Sequence, residues 1–282
     1  MTMRGLDRTL KLPGGEAVAQ FGLGTWRMGE SKARAAGELA ALRAGLDAGV
    51  KLIDTAEMYG EGVAEEIVGQ AIAGRRDDVF IVSKVYPHNA SRSGVAQACA
   101  RSLRRLGTDR IDLYLLHWRG NHPLAETVAG FQDLKKAGKI RHWGVSNFDV
   151  ADMEDLFEAG GEGCAANQIL YNLGRRAAET GLFQLCRQHR IPLMAYSPLE
   201  QGHIPKSPVL SKIAAAHKAT PAQVMLAWVA RHKDVMVIPK STGTAHLAEN
   251  IAAMDLTLSA DDLAKMETAF PAPKRETPLD ML

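Results

Sequence analysis

The 282-residue sequence predicts an α/β protein folded as a single (β/α)8 TIM barrel with an N-terminal β-hairpin and a short C-terminal tail. Three observations point there. Short apolar runs alternate with longer amphipathic stretches about eight times, the pattern of parallel strands covered by helices. The runs are apolar almost without interruption, as strands buried on both faces should be. Each later run also ends at polar residues. At this length eight units fit a closed barrel better than an open doubly wound sheet, the alternative topology.

In chain order, residues 9–20 read as a hairpin turning on Pro13-Gly14-Gly15 and placed to close the barrel's bottom. The first barrel strand falls at 21–26, weakened by Gly22 and Gly24. The others fall at 51–54, 79–84, 111–117, 140–145, 165–169, 193–196 and 235–239. Helices are expected at 33–48, 63–73, 94–106, 123–137, 153–159, 181–188, 209–216, 222–231 and 245–254. Gly49, Gly74, Gly107 and Gly138 punctuate helix ends, and Pro221 suits a helix's first turn. The tail, 271–282, carries Pro271, Pro273 and Pro278 and reads as irregular. No linker or composition shift divides residues 1–282, which are expected to form one domain.

Composition excludes several classes. With 46% hydrophobic and 23% charged residues there is ample material for a large core. A net charge of +2, with Lys and Arg spread along the chain, offers no basic stripe for nucleic acid. Residues 1–11 lack an apolar signal core, and no apolar stretch approaches the ~20 residues of a membrane span, so a cytoplasmic protein is expected. Cys99, Cys164 and Cys186, odd in number and without a CxxC pair, argue against a disulfide framework and against structural zinc. No exposed apolar stripe demands a partner, and a monomer is expected.

The polar strand ends carry the chemistry. The second run ends in Asp54, the third in Lys84 and the fourth in His117; Ser146-Asn147 follows the fifth. The sixth ends near Asn167-Gln168, the seventh in Tyr196-Ser197 and the eighth in Lys240-Ser241. In a barrel all strands point the same way, so these residues gather at one mouth, where barrel enzymes keep their active sites. Singly, each has an ordinary structural explanation: Asp54 as a turn residue, Lys84 as a solvated lysine, His117 as a satisfied core histidine. Their joint placement favours function. A buried Asp54–Lys84 ion pair needs further hydrogen bonds. Tyr59, five residues past Asp54, can fold back over the mouth to supply one. A neighbouring ammonium would lower the phenol from its ordinary ~10 and make it a general acid. His117 would orient a carbonyl oxygen. Only one histidine ends a strand, so a metal-dependent hydrolase ranks last and no metal site is assigned.

These residues resemble the aldo-keto reductase family. The likeness is carried by Leu52-Ile53-Asp54-Thr55-Ala56-Glu57-Met58-Tyr59-Gly60, Ser83-Lys84-Val85, Leu115-Leu116-His117, Gly144-Val145-Ser146-Asn147-Phe148, Tyr196-Ser197-Pro198-Leu199 and Ile238-Pro239-Lys240-Ser241. It spans almost the whole chain in the family's order. It implies Asp54, Tyr59, Lys84 and His117 as the catalytic tetrad and NADPH as cofactor, with NADH the alternative. It implies that Ser146, Asn147 and Gln168 hold the nicotinamide carboxamide and that Tyr196 stacks on the ring. Ser197 and Leu199 would lie by the pyrophosphate; Lys240, Ser241 and Thr242 by the 2′-phosphate; Glu249 and Asn250 by the adenine. Gly24, Thr25, Trp26, Asp54 and Ile238 complete the implied cofactor contacts.

One position departs from the family pattern. Many members carry Arg six residues after the Lys240 equivalent, where this chain has His246. Arginine is always charged and forks to phosphate, whereas histidine is mostly neutral at pH ~7. A His246 contact would weaken NADPH binding as pH rises through the imidazole range.

Ala56-Glu57-Met58-Tyr59, Val85-Tyr86-Pro87, Leu115-Leu116-His117-Trp118 and the ending Pro278-Leu279-Asp280-Met281-Leu282 resemble the short bacterial methylglyoxal reductase-like members. The short segment 118–122 and short tail imply a shallow, open mouth for a small carbonyl substrate, walled by Trp26, Tyr86 and Trp118. The alternatives are a reductase of sugar or aromatic aldehydes and a cofactor-binding sensor without turnover.

Overall fold

The computed structural model describes residues 4–275 and 277–282. Eight parallel strands form one sheet: β3 (Leu23–Gly24), β4 (Leu52–Asp54), β5 (Phe80–Val85), β6 (Ile111–Leu116), β7 (Ile140–Ser146), β8 (Asn167–Leu170), β9 (Leu193–Tyr196) and β10 (Val235–Val237). Its edges meet. Phe21 bridges Val237 in parallel, Val237 N donates to Gln20 O at 2.8 Å, and Gly22 N returns a bond to Val237 O at 2.9 Å. The sheet is therefore a closed barrel, and the open-sheet alternative falls. The first expected strand shrinks to two residues plus that bridge, and its glycines sit at close approaches: a Cβ on Gly22 would meet the Leu52 side chain at 2.1 Å and one on Gly24 would meet Ile238 O at 2.7 Å.

Eight helices follow the strands: α1 (Lys32–Asp47), α2 (Val63–Ile72), α3 (Arg92–Leu106), α4 (Leu124–Lys136), α5 (Val150–Glu158), α6 (Leu182–Gln188) and the pair α7 (Pro208–Ala216) and α8 (Pro221–Ala230). After β10 come α9 (Thr244–Ala252) and α10 (Ala260–Ala269). Gly49, Gly74, Gly107 and Gly138 follow helix ends at positive φ of 100°, 80°, 62° and 69°. The sequence reading did not anticipate α10, which is capped by Ser259, buries Met266 and contacts α7. The three cysteines are free and buried.

Two apolar cores result. The larger lies between the sheet and the helices. The smaller fills the barrel, with Leu52, Val82, Leu113, Leu115, Ala166, Met194 and Met236. Leu10, Leu12 and Val18 belong to it as well. They come from the antiparallel hairpin β1 (Thr9–Lys11) and β2 (Ala17–Ala19), which plugs the end opposite the polar mouth. The hairpin is tied there by charge: Glu16 reaches Arg141 and His142, both at 2.7 Å, at the start of β7.

Strand alternation explains what stands at the mouth. Side chains two residues apart share a face. Leu52 and Asp54, Val82 and Lys84, Leu115 and His117, Ala166 and Gln168, and Met194 and Tyr196 therefore point inward in pairs, the apolar member below and the polar member above. Gly144 and Ser146 continue the set on β7. A Cβ on Gly144 would lie 2.3 Å from Ala166 O, so this close approach of β7 to β8 requires glycine. Gly144→Ala should cost about 2 kcal/mol through overpacking. An unchanged denaturation midpoint would contradict this.

Candidate active site

The four groups expected to converge do so at the inner mouth of β4, β5 and β6. Lys84 Nζ donates to Asp54 Oδ1 and Oδ2, both at 2.8 Å, to Thr55 O at 2.8 Å and to the Tyr59 hydroxyl at 3.1 Å. Gln168 Nε2 donates to Asp54 Oδ1 at 2.7 Å, supplying a further bond to the buried carboxylate. Tyr59 is delivered by a tight loop in which Gly60, Glu61 and Gly62 all have positive φ. A Cβ at Gly60 would meet Met28 O at 2.8 Å, so glycine there is what lets the loop close. The His117 ring stands edge-on to the Tyr59 ring, centroids 5.7 Å apart.

Hydrogen counting orients the phenol. An ammonium has three protons. With Asp54, Thr55 O and Tyr59 as its acceptors, the phenol oxygen receives one, and its own O–H is left to point into the cavity. His117 is also directed outward. Its Nδ1 is buried without a hydrogen-bond partner. An orphaned buried N–H is rarer than an orphaned acceptor, so the proton belongs on Nε2.

Burial decides the charge states. It raises the Asp54 carboxyl and lowers the Lys84 ammonium, and each shift is opposed by the other's charge. His117 is pushed well below its ordinary value by burial and by Lys84, and is neutral near pH ~7. The Tyr59 phenol is raised well above its ordinary value by burial, by Asp54 and by Tyr196. This corrects the expectation of a phenol lowered by the ammonium: in so dry a position desolvation of the phenolate outweighs one cation already neutralised by Asp54. Tyr59 is held as a proton donor.

A cavity of about 930 Å³ runs from this cluster along the mouth. Asp54, Tyr59 and His117 line it; Lys84 lies behind them, fully buried. The lining includes Gly24, Trp26, Ser146, Asn147, Gln168, Tyr196, Ser197, Leu199, Ile238, Lys240, Ser241, Thr242, His246, Glu249 and Asn250. Ser146 Oγ donates to Gln168 O at 2.9 Å, and Tyr196 donates to Asn147 Oδ1 at 2.8 Å. Asn147 takes φ 60°, which turns its Nδ2 back to His117 O at 3.1 Å.

Two expected contacts sit elsewhere. Thr25 is fully buried behind the lining, its N and Oγ1 both donating to Asp54 O, at 3.0 and 2.9 Å. Tyr86 is not in the cavity lining; it leans on Trp118, which is, with ring centroids 5.9 Å apart.

Sequence reasoning missed Arg27. It lines the cavity at φ 63° with its guanidinium 4.5 Å from the Trp26 ring centroid, and among the described residues no carboxylate pairs with it. The signal was present, since Arg27 follows the first strand as the other polar residues follow theirs. The tail and the loop after β9 were also underrated. Met281, Leu282, His203 and Ile204 line the cavity, so the tail and this loop contribute to its walls. Among the described residues no cluster of His, Cys, Asp and Glu could hold a metal ion, and no helix is long and apolar enough to cross a membrane.

A protonated phenol and a neutral imidazole thus face one cleft at the barrel mouth, whose lining also carries Arg27 and Lys240. The sequence matches the Aldo/keto reductase family over residues 20–270, and the chain belongs to that family. It is 49% identical to methylglyoxal reductase YeaE of Escherichia coli over 98% of this chain and 99% of that protein. It is 35% identical to the glyoxal reductase of Bacillus subtilis over 93% of this chain and 92% of that one. Its fold superposes with TM-score 0.95 on an aldo-keto reductase of Klebsiella pneumoniae solved with NADPH, at 49% identity and covering 98% and 99% of the two chains.

Proposed function

We propose that this chain reduces small aldehydes and ketones, methylglyoxal among them, to alcohols with NADPH. The observation that carries the reading is the Tyr59 hydroxyl, which accepts from Lys84 Nζ at 3.1 Å and is held protonated at the cavity wall. The methylglyoxal and glyoxal reductases among its relatives support the substrate class.

The residues fit the cofactor. Among the described residues Arg27 and Lys240 line one cavity without an ion-pair partner, as a ligand with several phosphates requires. Ser146, Asn147 and Gln168 would hold the carboxamide, with Tyr196 against the ring; Arg27, Ser197 and Leu199 would lie by the pyrophosphate. Lys240, Ser241, Thr242 and His246 would take the 2′-phosphate, and Glu249 and Asn250 the adenine. A reduced nicotinamide held by these residues would supply hydride for the carbonyl carbon. The substrate oxygen accepts hydrogen bonds from Tyr59 and from His117 Nε2, which polarise it and fix its position. As negative charge grows on that oxygen, Tyr59 gives up its proton, and Lys84, bonded to the phenol oxygen, stabilises the phenolate left behind. Asp54 keeps Lys84 charged in its dry position.

The test is a cofactor-oxidation assay with NADPH and NADH against methylglyoxal, an aromatic aldehyde and an aldose. NADPH-dependent consumption of methylglyoxal is expected. Tight NADPH binding with no carbonyl consumed would leave only the sensor reading. His246→Arg should tighten NADPH about tenfold, since it adds a permanent charged fork at the phosphate, and leave NADH nearly unchanged. Equal gains for both cofactors in a binding titration would place His246 away from the phosphate.

A further inference from the structure

One buried carboxylate beside the cavity has no part in the chemistry above. Glu57 lies two residues before Tyr59, on the same loop, and is 7% exposed. Its Oε1 accepts from the Tyr86 backbone N at 2.8 Å and from Asn89 Nδ2 at 3.0 Å. Its Oε2 faces Arg101 at 3.3 Å and Arg105 at 4.0 Å. Arg105 pairs in turn with the buried Glu65 at 2.6 Å, and Glu65 accepts from Ser83 Oγ at 2.6 Å. Glu57 N donates to Lys84 O at 3.3 Å. One polar chain thus joins the loop that carries Tyr59, the strand that carries Lys84 and the turn that carries Tyr86.

Burying a carboxylate is costly, and a turn can be held by backbone bonds alone. What this carboxylate adds is a fixed separation between two walls. Tyr86 backs His117, with centroids 6.5 Å apart, and stands edge-on to Trp118 at 5.9 Å. Both of those rings line the cavity, and Tyr59 lines it too. Through its Oε1, Glu57 ties the backbone of the Tyr59 loop to the backbone of the turn that supports them.

We propose that Glu57 is a positioning residue for substrate specificity: by gripping the Tyr86 N–H and the Asn89 amide, it sets the gap between the Tyr59 hydroxyl and the His117–Trp118 wall, and so the width of the slot a carbonyl substrate enters. The inference rests on the reading of Tyr59 and His117 as the donors to the carbonyl oxygen. The acceptor oxygen does the work and the charge is secondary. Trp118 lines the cavity and Tyr86 supports it from behind, whereas Lys84 holds the Tyr59 hydroxyl independently of Glu57, so loss of the grip falls on KM rather than on kcat.

The test compares Glu57→Ala, Glu57→Gln and Asn89→Ala with the parent enzyme, by steady-state reduction of methylglyoxal, NADPH titration through tryptophan fluorescence and thermal melting. Glu57→Ala should raise KM about tenfold, with kcat down by no more than about threefold and the NADPH Kd nearly unchanged. Glu57→Gln keeps the acceptor and should stay within about threefold of the parent KM. Asn89→Ala removes one of the two donors, leaves no unpaired buried charge and should raise KM about threefold, which keeps the inference testable should Glu57→Ala not fold. An unchanged KM in a folded Glu57→Ala, or in Asn89→Ala, overturns it. So does a Glu57→Gln as impaired as Glu57→Ala, or a KM that rises only together with the NADPH Kd. A parent that binds NADPH but reduces no carbonyl overturns the functional reading itself, a distinct result.

Discussion

Tyr59→Phe is expected to reduce carbonyl turnover by about a thousandfold or more, with NADPH binding and the melting temperature close to the parent's. Phenylalanine keeps the ring that packs edge-on against His117 and under the Lys84 ammonium, which lies 4.8 Å from its centroid. Only the hydroxyl is lost, and with it the one hydroxyl that both accepts from Lys84 and faces the cavity. No other side chain there can take over. His117 is neutral, so it can polarise an oxygen through a hydrogen bond but carries no imidazolium proton to give up. Lys84 is fully buried behind the phenol. The decisive measurement is single-turnover reduction with saturating NADPH, paired with a binding titration. Turnover within tenfold of the parent would remove Tyr59 from the mechanism.

Lys84→Met should fail in two ways at once. Lys84 is 0% exposed and is the cation closest to the buried Asp54 carboxylate. Removing one partner of such a pair leaves an uncompensated charge in the interior and costs about 3–5 kcal/mol, a fall of roughly 10 °C in melting temperature. Gln168 would remain as a neutral donor to Asp54, which is too little to offset the loss. Turnover should fall by at least about a hundredfold, because the phenol oxygen loses the donor that stabilises its anion. The double variant Asp54→Asn with Lys84→Met separates the two effects. Neutralising both partners removes the buried charge, so stability should return to near the parent's while turnover stays low. Calorimetry on the parent, Lys84→Met and the double variant checks this. Equal destabilisation of the single and double variants would show that charge pairing is not what holds this corner together.

Much of this was legible before any fold was known. Eight apolar runs, seven with polar ends and the first of those ends about thirty residues apart, already pointed to Asp54, Lys84 and His117 sharing one end of one barrel. Strand alternation then forced each onto the inner face above Leu52, Val82 and Leu115. The misses have common causes. The helix at 153–159 starts earlier, at Val150, and α10 was passed over entirely; both begin with a capping box closed by aspartate, Asp149 with Asp152 and Ser259 with Asp262, where the familiar pattern has Glu or Gln. Arg27 was overlooked because the first strand was read as weak. Tyr86 and Thr25 stand one layer behind the cavity because side-chain direction at a turn is set by what packs against it.

The sequence by itself determined the barrel, its polarity and the membership of the polar cluster at its mouth, since strand direction and period two are local properties that any parallel barrel must obey. The tertiary structure alone decided the state of that group. Whether the phenol is raised or lowered depends on the balance between desolvation and the summed charge of Asp54, Lys84 and Tyr196. The same holds for the part of the cavity wall formed by Met281, Leu282 and the loop after β9. Burial and field at one atom are sums over residues far apart in the chain, and no window of sequence contains them.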